Sequence, residues 1–331
     1  MAYQTGTATS PNDLLQRLVT WLVTIGWVQD MSQADGTGWR AHLHKGSVYV
    51  NLKSTTGAVN PWAFTPNPLP NATDAGLHVY LGTGFNGGAN WNAQAGGPIL
   101  NGTSTTTGNS MPLPTGAISA YYFFSDAAAD NIVVVVEKTT GIFTNLGWGT
   151  SLNKSGAWTG GPYLFAATNG YSFASDSTTA AGAQNGPSAR GPFMYKEVVS
   201  GAASGYVRAD VDSFTGKWIG CTDSTSQPSG GYTGRNCATE FRGHSTAVPP
   251  ADIPNLEYFL ERTVSILNSQ AHLVPVRIWV PRDAGGYSLL GTLPIVFWTR
   301  AVGNGYAPGT VLNIGADSYM LFPEFAVKKV D

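Results

Sequence analysis

Charge is what this sequence has least of. Asp, Glu, Lys and Arg make up 11% of its 331 residues, less than half of the roughly 25% usual in soluble domains. A disordered chain would carry more charge and fewer aromatic side chains, so disorder is excluded. The surface must be covered by Gly, Ser, Thr, Asn and Ala, or be buried against other subunits. The 10 Trp, 14 Tyr and 14 Phe beside so few charges favour the second. The net charge is −2, with Lys and Arg scattered, so there is no basic stripe to act as a footprint for nucleic acid. Apolar runs are short. None approaches the ~18 residues of a membrane-spanning helix, and no membrane partner is expected. Met1 to Ser10 has neither the basic region nor the apolar core of a secretory signal, so synthesis in the cytoplasm of the producing cell is expected.

Cysteine is almost missing. Cys221 and Cys237 bracket a segment rich in Gly, Ser and Thr. Two readings stand: unpaired thiols of a cytosolic protein, or a disulfide formed once the protein is outside the cell. The disulfide would constrain the loop by about 3 kcal/mol, and the low apolar content around both residues favours it. Neither cysteine has a second Cys or His at zinc-ligand spacing, and His244 reads as a loop residue.

Catalytic motifs are absent as well. There is no G-x-S-x-G, and Gly201-Ala202-Ala203-Ser204-Gly205 has the wrong spacing. The phosphate-binding loop and the dinucleotide fingerprint are missing; Gly84-Phe85-Asn86-Gly87-Gly88 has no Lys and no following helix. Glycoside hydrolysis needs two carboxylates across a sugar. Asp210 with Asp212, and Glu257 with Glu261 beside Arg262, are the nearest pairs, and both read as solvent-facing charge. His42 and His44 project from one strand face, a start for a metal site without a third ligand. No enzyme, metal or cofactor is expected. Trp91, Trp148 and Trp158, each in a stretch of small or polar residues, are candidate interface or glycan-stacking aromatics.

What is present reads as β structure. Ser10 can cap a helix with Pro11 at its first position and Asp13 at N3. Leu14, Leu15, Leu18, Val19, Leu22 and Ile25 form its apolar stripe, and Gly26 ends it. This helix is expected to be the first ordered element. Trp27–Asp30 and 38–53 read as strands, with Trp39, Ala41 and Leu43 opposite Arg40, His42 and His44, and a turn at Gly46. Between Thr55 and Gly116, Pro, Gly, Asn and Thr dominate. Only Leu77–Leu81 is a convincing strand there, and the rest is expected to pack on neighbouring subunits. Ile118–Phe124 and Ile132–Glu137 are almost continuously apolar and are expected to form a central hairpin buried on both faces, followed by a strand over 141–149. Further strands are expected at 194–199, 206–210, 217–219, 273–280, 289–299 and 310–322, the last with a turn at Gly315 to Ser318. A second short helix is expected near 255–267. The fold class is mainly β, sandwich-like or of mixed antiparallel sheets, with an N-terminal amphipathic helix and long Gly/Ser/Thr-rich loops. Three regions follow: 1–55, a helix with a small sheet; 56–250, a β-rich centre; and 251–331, a helix and strands closing the central domain.

Three blocks carry a resemblance. They are Met1-Ala2-Tyr3-Gln4-Thr5-Gly6-Thr7-Ala8 with Asp13-Leu14-Leu15 and Gly26-Trp27; Ile142-Phe143-Thr144-Asn145-Leu146-Gly147-Trp148-Gly149 with Gly156-Ala157-Trp158-Thr159-Gly160-Gly161; and Tyr319-Met320-Leu321-Phe322-Pro323. Together they resemble a family of virion structural proteins of tailed bacteriophages. The resemblance implies a homo-oligomeric ring or sleeve in the tail or baseplate, partnered by other tail or baseplate proteins and located in the virion. It leaves room for a receptor- or glycan-binding tail protein that touches host surface glycan, or for a collar or head–tail connector component. It implies no active site.

Overall fold

In the computed structural model, the described residues are 2–56, 75–97, 109–166, 168–169, 205–211, 217–221, 236–237, 273–282, 287–299, 301–302, 305–323 and 325–330. Among them lie one helix and twenty strands. In chain order these are β1 (Tyr3–Ala8), α1 (Pro11–Thr24), β2 (Val28–Asp35), β3 (Gly38–Lys45), β4 (Val48–Thr55), β5 (Ala75–Gly82), β6 (Asn109–Leu113), β7 (Ile118–Ser125), β8 (Asn131–Thr139), β9 (Ile142–Gly149) and β10 (Asn153–Lys154). Then follow β11 (Thr159–Ala166), β12 (Thr168–Asn169), β13 (Gly205–Asp210), β14 (Lys217–Cys221), β15 (Asn236–Cys237), β16 (Val274–Pro281), β17 (Tyr287–Trp298), β18 (Val311–Ile314), β19 (Asp317–Phe322) and β20 (Phe325–Lys329).

The strands form three sheets. The central sheet runs β1-β7-β8-β9-β11-β13-β14-β15. The helix-side sheet runs β12-β6-β5-β4-β3-β2, and the outer sheet runs β10-β17-β20-β19-β18 with β16 paired to β17. All named pairings are antiparallel except β14 with β15. The chain is therefore mainly β, as the composition and strand patterns predict.

β8 shows why the central sheet is a buried layer. Ile132, Val134 and Val136 enter a core shared with α1 and the helix-side sheet. Val133 and Val135 enter a second core shared with the outer sheet. A strand clad on both faces needs apolar residues at every position, which is why the run 132–136 is continuously apolar. The expected hairpin forms in register, with Phe123 opposite Val134 and Tyr121 opposite Val136.

α1 starts where the capping residues place it. The Asp13 amide donates to Ser10 Oγ at 3.2 Å, and the Asp13 carboxylate accepts from the Thr9 amide at 2.8 Å. Its stripe of Leu14, Leu15, Leu18, Val19 and Leu22 is buried. The helix is not the first ordered element, however. β1 precedes it and pairs with β7, Tyr3 opposite Phe124. The polar alternation of Tyr-Gln-Thr-Gly-Thr gave no apolar signal because β1 is an edge strand with only Ala8 buried.

Within 55–116, the strand expected at Leu77–Leu81 is present as the centre of β5, and the described residues around it join this chain's own sheet. β5 is buried along its whole length and lies between β4 and β6 in the helix-side sheet. That sheet therefore draws on residues well beyond 55. β11 and β20 also join the sheets, although neither was expected as a strand. The expected strand at 194–199 and helix at 255–267 lie outside the described residues.

Candidate functional site

The outer face of the helix-side sheet is covered by residues 83–97, which run across it as a strap. Gln94, buried, organises the strap from within. Its Oε1 accepts from the Asn86 amide at 2.7 Å, and its Nε2 donates to the carbonyls of Asn86 and Asn90 at 3.1 and 3.0 Å. The Thr83 amide closes the strap onto Ala95 O at 2.7 Å, and Trp218 Nε1 donates to Gly96 O at 2.8 Å, tying it to the central sheet. Phe85 lies over His42, with ring centroids 5.0 Å apart. Trp91 lies over His78 at 5.8 Å.

Both histidines are therefore held away from water. Asn51 Nδ2 donates to Tyr80 O, which orients the amide so that its Oδ1 accepts from His42 Nδ1 at 2.6 Å. His42 Nε2 is then left buried without a partner. Burial lowers the His42 pKa. Burial likewise lowers that of His78 to about 3, with the Lys53 charge adding to the effect. His44, the other residue of the expected pair, is turned to Asp30 at 2.9 Å. The two side chains serve different partners, and no cluster of three His, Cys, Asp or Glu fit to hold a metal occurs among the described residues.

The three candidate aromatics occupy different settings. Trp91 is 5% exposed beneath its own strap. Trp148 is fully buried, edge-on to Trp27 at 6.0 Å. Trp158 is half-buried. Its Nε1 donates to Leu290 O at 3.0 Å, and Lys154 Nζ sits 4.8 Å from its ring centroid. Trp158 borders a cleft of about 400 Å³ that also presents Asp210, Arg282 and Ser288. Asp210 accepts from Thr159 Oγ1 at 2.6 Å, and it is the one carboxylate among the described lining residues. Asp212, Glu257 and Glu261 lie outside the described residues.

The glycines around Trp148 have a packing reason. A Cβ on Gly147 would stand 2.4 Å from the Phe165 ring and 2.6 Å from Ile132 O, and one on Gly149 would stand 2.2 Å from Asn131 Oδ1. The Gly-Trp-Gly run is thus shaped by β8 and β11 closing on β9.

The backbone register pairs Cys221 with Cys237 on the parallel strands β14 and β15. Neighbouring strands lie about 4.8 Å apart, inside the Cα separation that a disulfide requires. Protein folded without reductant is expected to show an intact mass two hydrogens below that of the reduced chain and no thiol reactive to maleimide. Two reactive thiols in that preparation would rule the bond out.

No protein-family model matches the chain, and no curated protein matches it.

Proposed function

We propose that this chain is a structural building block of a tailed-phage particle, self-associating into a ring or sleeve in the tail or baseplate. The observation that carries self-association is the edge of the outer sheet. β18 pairs with β19 on one side and with no other strand among the described residues. It contains no charged residue, and Val311 and Ile314 are two of the four exposed large hydrophobic side chains among the described residues, at 41% and 45%. Natural edge strands are normally blunted by charge, proline or a bulge; one that is not is a template for pairing with another chain. The charge-poor composition supports the same reading. The phage assignment rests on the three resembling blocks. They fall on β1 and α1, on β9 to the start of β11, and on the end of β19, which are framework elements.

Val311→Lys and Ile314→Lys are expected to weaken self-association at least tenfold, a change of about 1.4 kcal/mol, with an unaltered circular dichroism spectrum. Sedimentation over a range of concentrations measures this. A wild-type chain that stays monomeric throughout, or lysine variants that assemble as well as it does, would refute the reading. The phage assignment is tested separately, by mass spectrometry and cryo-EM of the parent particle.

A further inference from the structure

A second cleft, of about 540 Å³, opens at the β3–β4 turn, where the helix-side sheet meets the central sheet. Lys45, Ser47, Asp130, Thr150, Pro162 and Arg208 border it. Its walls are held in place. The Asp130 amide donates to Asp126 Oδ1 at 2.7 Å, Trp27 Nε1 donates to Ala129 O at 3.0 Å, and the Thr150 amide donates to Asp130 O at 3.0 Å. Lys45 Nζ lies 3.2 Å from Asp130 Oδ1 and also donates to Ala128 O.

Arg208 is different. It stands on β13, in register with Trp218, and is half withdrawn from water. No hydrogen bond or ion pair involves its guanidinium among the described residues. The cleft therefore holds two cations and one carboxylate, and that carboxylate already faces Lys45. A guanidinium partly removed from water is favourable when a counter-charge meets it, and its planar fork matches a carboxylate in two-point fashion. The hydroxyls of Ser47 and Thr150 stand on the same rim, beside the apolar ring of Pro162.

We propose that this cleft binds a polyhydroxylated carboxylate, specifically a hexuronate residue of an acidic saccharide. The carboxylate sits on Arg208 within reach of the Lys45 charge, and the sugar hydroxyls meet Ser47 and Thr150. The volume is in the usual range for small-ligand sites. Because the cleft is open, the affinity for one sugar is expected to be weak, on the order of 1 mM, and to fall as salt rises. The site belongs to the single chain, so it stands or falls independently of the assembly reading.

Calorimetric titration of the full chain with glucuronate, glucose, acetate and inorganic phosphate tests it. Glucuronate is expected to saturate in the millimolar range, acetate and phosphate to bind at least tenfold more weakly, and glucose not to bind. Arg208→Gln is expected to weaken glucuronate binding at least tenfold. Should that variant unfold, Ser47→Ala on the exposed turn is expected to weaken glucuronate binding without changing that of acetate. Absence of saturation by about 10 mM glucuronate, or equal binding of acetate or phosphate, or equal binding of glucose, would overturn the proposal.

Discussion

Trp148→Ala is expected to lower the stability of the folded chain by about 3–5 kcal/mol, the range for deleting a large aromatic side chain from a packed core. Trp148 is fully buried and meets Trp27 edge-on, at an interplanar angle of 84°. It lies opposite Ile132 on β8 and Leu164 on β11, inside the core shared with α1. Total stabilities of domains are about 5–15 kcal/mol, so the variant is expected to sit near the folding limit. Denaturant unfolding would show a lower midpoint with an unchanged slope. Trp148→Phe is expected to be milder, because the indole N–H has no acceptor and its replacement forfeits no hydrogen bond. The measurement also separates two roles. A ring serving an interface or a glycan would lose assembly or binding on replacement while the isolated chain kept its stability; a loss of stability below about 1 kcal/mol would contradict a core role.

Acidification is expected to destabilise the protein from pH 6.5 downward. His78 is neutral in the folded state because burial holds its pKa at about 3, against about 6.5 in the unfolded chain. His42 is shifted in the same direction, first by burial and then by the Arg40 charge, with its Asn51 hydrogen bond and Asp30 and Asp35 opposing. A group with a depressed histidine pKa binds its proton in the unfolded state first. The contribution is thus fully present above pH 6.5 and declines as the pH falls toward 3, by about 1.4 kcal/mol per pH unit for His78 alone. Between pH 6.5 and 4.5 that amounts to roughly 2–3 kcal/mol. Asp13 and Asp317, whose pKa values are lowered from 3.8, lose their contributions only below this window. Unfolding free energies measured across the window check the claim, and a flat profile from pH 7 to 4.5 would contradict it. Because both histidines lie under the strap of residues 83–97, Trp91 fluorescence and hydrogen exchange of the strap amides are expected to report the change.

Part of this was legible in the residues alone. The cap at Ser10, the stripe of α1, the alternation along β3 and the doubly apolar run 132–136 each follow a local period, and local periods are written into the chain. β1 and β11 were not legible, because mixed polar, Gly and Pro content hides an edge strand or a strand shaped by its neighbours; β20 was not legible because its apolar part, Phe325-Ala326-Val327, is only three residues long. Trp91 drew notice as an exposed aromatic because its neighbours in sequence are Asn90 and Asn92. What covers it is His78, from a strand that ends nine residues earlier in the chain. Lys45, Asp130 and Arg208 carried no signal either: they stand 85 and 78 positions apart along the chain, and no motif spans such gaps.

By itself the sequence determined a mainly β chain, poor in charge, with one strong amphipathic helix and a strand run, 132–136, buried on both faces, since each of these depends on composition or on neighbours a few residues away. The tertiary structure decided which sheet lies between which, that the 83–97 segment folds back over its own histidines, that Trp148 is core, and that β18 is left as an uncharged edge. Those outcomes depend on contacts between residues far apart in sequence, whose pairing is set by shape and register once the sheets close on one another.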